Sequence, residues 1–173
     1  GDEPTDVVFA GSPERAFVSV SQRNQVRIYD PANLGPAPPV TILDLQGEDP
    51  RAMAVDATGS RVFVGIFESG NKTTVVDASR VSVPTGPYGG ANPPPNNGNT
   101  FDPPIALSLP LPPKVPQIVR QNPLGEWRDD NTRNWAALVD WGLHDHDVAI
   151  IDTATLGVTY AAGLMTTPQY AAE

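Results

Sequence analysis

The stretch AFVSVSQRNQVRIYD, from Ala16 to Asp30, returns with little change as VFVGIFESGNKTTVVD, from Val62 to Asp77. Aligning Gly1 with Gly47 pairs Pro4 with Pro50, Val8 with Ala54, Arg15 with Arg61, Phe17 with Phe63 and Val18 with Val64. After one inserted residue, Asn24 pairs with Asn71, Val26 with Thr73, Ile28 with Val75 and Asp30 with Asp77. A period of about 46 residues means that one supersecondary unit is repeated, and that each unit hides its apolar face against the next.

Each copy carries short runs of Val, Ile and Phe separated by turn formers such as AGSPE and DATGS. That is the pattern of strands and turns, and β-branched alternation without caps disfavours helix. In the first copy the spacing predicts strands over 6–10, 16–20, 26–30 and 40–45, a four-stranded antiparallel unit. A single such sheet has two faces to cover, and a radial array of them, a β-propeller, covers both while leaving only short edges.

The order of Gly, Pro, a short strand, a turn with Gly, then Phe-Val-x-Val and Asn-x-Val-x-Ile-x-Asp resembles the YVTN-type β-propeller repeat of YncE-like and lactonase-like propellers. The resemblance implies an all-β chain of four-stranded antiparallel blades. It also implies export, to the extracellular space, the cell surface or the periplasm. A third, stretched copy follows: HDVAIIDTATLGVTY places His146 at the Asn position and Val148, Ile150 and Asp152 after it.

The expected organisation is a single propeller segment over 1–173. Blade one spans 1–46, blade two 47–113, blade three 114–162, and a further blade begins at 163–173 with GLMTTPQYAA. Blade two carries an insertion over 78–104, dense in Pro, Gly and Asn, with IALSLPL at 105–111 as its outer strand. Pro110 suits an edge position, where a missing ladder donor does no harm. The alternatives are an interdomain linker for the insertion and a polyproline II ligand for PPIALSLPLPPKVP. In blade three, 117–120 reads as the inner strand and 135–140 as the second, around an insertion over 121–134.

Closed propellers need about four to eight blades, and this chain offers about three. The remainder of a propeller or another subunit is therefore expected to cover the open blade faces, since large apolar faces are not left in water. The formal charge of −9 argues against nucleic acid, which calls for clustered Lys and Arg. No run approaches the roughly 18 apolar residues of a membrane helix, so no transmembrane segment is expected. GDEPTDVVFA carries neither a basic nor an apolar leader region, so no signal peptide is expected in this numbering. With no cysteine, disulfides, thiolate metal sites and Cys nucleophiles are excluded.

Loops longer than about 12–15 residues in a compact domain are usually functional or disordered, so both insertions are the first places to look for binding. Trp127, Trp135 and Trp141 gather around the second insertion and Tyr88 opens YGGANPPPNNGN in the first. These aromatics are the candidate contacts for a sugar or a protein, against the alternative that they anchor loops onto a sheet. Asp129, Asp130 and Asn131 are the candidate ligands of a Ca²⁺ ion, against the alternative that they cap turns through their own backbone. His144 and His146 share a face if extended, as a transition-metal pair needs, but the chain has no third histidine. No Gly-x-Ser-x-Gly elbow occurs, and the glycines of the first insertion do not open a helix as a phosphate cradle does. No catalytic residue can be named and no cofactor beyond Ca²⁺ is expected. The sequence thus points to a non-enzymatic scaffold or binding module acting through its insertions. The alternative is a lactonase-like or metal-dependent enzyme with its site in the central channel.

Overall fold

The computed structural model describes residues 2–33, 35, 38–93 and 116–163. The chain folds as two compact units, one from Gly1–Asn71 with Leu143–Glu173 and the other from Lys72–Gly142. Both are built from antiparallel β-sheet. No helix among the described residues is long and apolar enough to cross a membrane.

The first unit holds two four-stranded sheets. One runs in chain order, β1 (Pro4–Ala10), β2 (Arg15–Val20), β3 (Gln25–Tyr29) and β4 (Thr41–Asp44). These are the four strands that alternation predicts in the first copy. The second sheet runs β5 (Glu48–Val55), β6 (Arg61–Glu68), β10 (Val148–Asp152) and β11 (Val158–Ala161). Its strands have the register of the first: Val8 faces Phe17 and Phe17 faces Ile28, while Ala54 faces Phe63 and Phe63 faces Ile150.

The two sheets bury one core between them. Phe17, Val26 and Ile28 of the first, and Val62, Val64, Ala149 and Ile151 of the second, are fully enclosed. Each fully buried side chain of Val, Ile or Phe size stabilises by roughly 1.5–3 kcal/mol. Polar bonds tie β1 and β2 to β5 along this seam. The Ser19 hydroxyl donates to the Arg51 carbonyl at 2.7 Å, and the Met53 N–H donates to the Asp6 carboxylate at 2.7 Å.

The recurrent Asp at the end of the motif has a local role in all three copies. Its carboxylate accepts the backbone N–H two residues on, from Ala32 to Asp30, from Ser79 to Asp77 and from Ala154 to Asp152. An Asp that bonds its own backbone in this way turns the chain out of the strand.

The second unit is smaller. It has β7 (Thr73–Val76), the single helical turn α1 (Ala78–Val81), β8 (Gln117–Gln121) and β9 (Trp127–Arg128), with the sheet ordered β7, β8, β9. Val76, Val81, Val119 and Trp135 form its core, with Tyr88, Trp127, Leu138 and Val139 packed against them.

Two strand assignments change. The motif puts Asn71 to Asp77 as the third strand of the second sheet, but β7 pairs with β8, and β10 takes the place beside β6. The stretched copy is therefore the missing half of the second sheet, reached after an insertion of a whole unit between adjacent strands. Both segments carry the same alternation and both bury the positions between its exposed ones, Thr74 and Val76 in β7 and Ala149 and Ile151 in β10, but only the latter pair joins the core of the first unit. The second change is at 135–140, predicted as a strand. It is a turn, in which the Leu138 and Val139 N–H groups donate to the Trp135 carbonyl. The outer strand expected over 105–111, the proline-rich run around it, and the opening of a further blade past residue 163 lie outside the described residues.

Candidate functional site

Two places gather chemistry-bearing side chains, one in each unit. In the inserted unit, the turn that follows β9 brings Asp129 under Tyr88 and Trp135. The Asp129 carboxylate is buried and accepts three bonds: from the Tyr88 hydroxyl at 2.7 Å, the Trp135 indole N–H at 2.9 Å and the Arg133 backbone N–H at 2.8 Å. Asn131 donates to the Tyr88 oxygen at 3.2 Å, and the Tyr88 and Trp135 rings lie tilted with centroids 6.1 Å apart. Burial, reinforced by the neighbouring Asp129 carboxylate, pushes the Tyr88 hydroxyl up to about 12.

This arrangement sets the candidate residues apart from one another. Asp129 and Asn131 meet at Tyr88, whereas the Asp130 side chain is exposed and outside that cluster. Trp135 is fully buried, so it supports the loop from below. Trp127 is half-buried beside Gly142, where a side chain on that glycine would sit 3.6 Å from the indole. Trp141 is the one tryptophan with its ring well exposed, at 55%, and its carbonyl is held by the Thr74 hydroxyl at 2.6 Å. Exposed Val75 and Ile118 face each other across β7 and β8 and add apolar surface to the same unit.

In the first unit, a polar cleft of about 320 Å³ opens where β1 and β5 begin, lined by Glu3, Asn24, Glu48, Asp49, Arg51 and Glu68. Three of these residues hold left-handed backbone without being glycine: Glu3 at φ 32°, Asn24 at 54° and Asp49 at 56°. Such conformations cost of order 1 kcal/mol or more and persist only where surrounding bonds enforce them. Here the Asn24 side chain accepts the Asp49 N–H at 2.9 Å, the Asn24 carbonyl accepts the Leu45 N–H at 2.8 Å, and Ser21 bonds Glu3 through both its N–H and its hydroxyl. Asp49 and Arg51 form an ion pair at 2.8 Å.

Sequence reasoning passed over this cleft because its acids are far apart in the chain and each looks like an ordinary turn residue. A signal was present nonetheless. Both copies open with a glycine, two acids and a proline, GDEP and GEDP, and the second acid of each, Glu3 and Asp49, lines the cleft at positive φ. Close by in the first unit, His146 stacks on Tyr160 at 4.1 Å and on His144 at 5.4 Å, and the His146 ring meets the Gln46 carbonyl. The Tyr160 hydroxyl accepts the Gln46 N–H at 2.7 Å. The two groups thus hold the peptide units on either side of Gln46, just ahead of β5. Among the described residues no group of three or more His, Asp or Glu is placed to hold a metal ion.

No protein-family model, no curated protein and no solved structure matches this chain.

Proposed function

We propose that this chain is a non-enzymatic scaffold or binding module of the β-propeller type, with the two four-stranded sheets as neighbouring blades and the inserted unit as the surface that meets a ligand or protein. One observation carries the reading. A compact unit with its own core is spliced between adjacent strands of a sheet, and it shows Val75, Ile118 and Trp141 to solvent. A sheet that only needed a turn between β6 and β10 has no use for such an insertion, and binding residues are characteristically carried on loops that a rigid scaffold positions. The resemblance to YVTN-type repeats supports the blade assignment, together with the order of both sheets, in which each strand pairs with the next in the chain apart from the inserted unit. It also suggests an exported protein.

The alternative is a lactonase-like or metal-dependent enzyme. Its favouring observation is the polar cleft, with four carboxylates and one guanidinium at the ends of the inner strands. The two readings separate in a paired experiment. The purified chain is assayed against a panel of lactones with and without Ca²⁺, and in parallel used as bait for envelope proteins and glycans, beside a Trp141→Ala, Ile118→Ser variant. The binding reading expects no turnover and capture that weakens in the variant. Lactone turnover that is lost in Asp49→Asn contradicts it.

A further inference from the structure

The equal register of the two sheets of the first unit lets every position of one be matched to a position of the other. Val8 corresponds to Ala54, Phe17 to Phe63, Ile28 to Ile150 and Thr41 to Thr159. The side chains by which the second sheet closes the core are Met53, Val55, Val62, Val64, Ile66, Ala149, Ile151, Val158 and Tyr160. Their counterparts on the first sheet are Val7, Phe9, Ala16, Val18, Val20, Arg27, Tyr29, Val40 and Ile42, on its outward face, with the Arg27 guanidinium paired to Asp2 at 2.9 Å. Four of these are large apolar residues open to solvent: Val7 at 50%, Phe9 at 53%, Val40 at 60% and Ile42 at 45%.

The correspondence also holds in the other direction. Phe17, Val26, Ile28 and Leu43, by which the first sheet closes the core, have Phe63, Val148, Ile150 and Ala161 as counterparts on the outward face of the second sheet. None of those four is buried. The two outward faces therefore repeat most of the two halves of the buried core, each half on the sheet opposite to the one that carries it inside, with Arg27 at the place of Ala149 and Asp56 at that of Ala10.

We propose that a second copy of this chain docks head to tail on these faces, the outward face of its second sheet seated on the Val7, Phe9, Val40 and Ile42 face of the first. The contact would repeat between copies the packing already present within one. Its two surfaces differ, so it is heterologous, and it propagates until a ring closes. The inference rests on reading the two sheets as neighbouring members of a stacked array. A further sheet of a longer polypeptide is the competing occupant.

The test uses the whole chain with Phe9→Glu on one face or Ile150→Glu on the other, with sedimentation velocity over a concentration series and folding checked by circular dichroism. The parent is expected to form assemblies of more than two copies, and each variant alone to sediment as a monomer. A one-to-one mixture should yield a dimer and nothing larger, because one intact pair of faces remains. If either variant unfolds, Val7→Lys and Thr159→Lys, at exposed positions of the same two faces, replace them. A parent that is monomeric throughout, a mixture that stays monomeric, or variants that assemble as the parent does each overturn the proposal. If a monomeric parent binds an apolar fluorescent dye and Phe9→Glu reduces that binding, the face is open. The stacked-sheet reading then stands and only the second copy is ruled out.

Discussion

Replacing Asp129 by Asn keeps size and shape and removes one acceptor, so its effect can be worked out bond by bond. One oxygen can still take the Arg133 N–H, as it does at 2.8 Å. The new amide nitrogen then faces the Trp135 indole N–H across what was a 2.9 Å bond, donor against donor. The Tyr88 hydroxyl can rotate and accept, since its oxygen is already an acceptor for Asn131. The loss is therefore one charge-assisted bond, worth about 1.5–3 kcal/mol, in which a fully buried indole N–H is left without a partner. We expect the inserted unit to lose roughly 2–4 kcal/mol. All three tryptophans, Trp127, Trp135 and Trp141, lie in that unit, so tryptophan emission during urea unfolding reports on it alone. With a slope near 1 kcal/mol per M, as suits a small unit, the midpoint should fall by about 2–4 M. Asp130→Asn, at an exposed position, should change it by less than ~0.5 kcal/mol. Equal shifts in the two variants, or no shift in Asp129→Asn, refute the assignment of Asp129 as the acceptor on which this core depends.

Spectrophotometric titration should show one tyrosine ionising near 12, and the step should vanish in Tyr88→Phe. Because the folded value lies above the ordinary tyrosine value of about 10, this group's contribution to stability is complete below pH ~10 and is lost as pH rises from there through 12. Asp56 behaves in the opposite sense. Bonds from Ser60 and Thr58 hold its carboxyl at about 2, so its contribution is present above the ordinary carboxylate range and disappears as pH falls through 2, and Asp56→Asn should flatten that acid limb. Gly70→Ala should destabilise the first unit by about 1–3 kcal/mol, read as a lower unfolding midpoint by circular dichroism. A Cβ there would lie 2.6 Å from the Leu143 carbonyl oxygen, where the chain leaves β6 and returns to β10. An unchanged midpoint would mean that this crossing is looser than the contact implies.

Local pattern was a good guide wherever strands are neighbours in sequence. β1, β2 and β3 are joined by short turns, and the alternation of apolar and polar residues alone locates them and β4. It failed where two segments compete for one place. Thr73–Val76 and Val148–Asp152 carry the same motif, and what decides between them is the fit of Ala149 and Ile151 against Phe17, Val26 and Ile28, a contact between distant parts of the chain. Trp135 shows the same limit, since an apolar run of strand composition becomes a turn once its indole finds Asp129. The polar cleft was legible only in the paired GDEP and GEDP openings, whose meaning depends on two strand starts lying side by side.

The position of β10 is where the account is most exposed. Isotope-edited nuclear Overhauser spectra of the labelled chain test it directly. We predict cross-strand contacts from Phe63 to Ile150 and from Val64 to Ala149, and none from Phe63 or Val64 to Thr73–Val76. Contacts from β6 to Val75, with Ile150 elsewhere, would contradict the second sheet as described and the stacking built upon it.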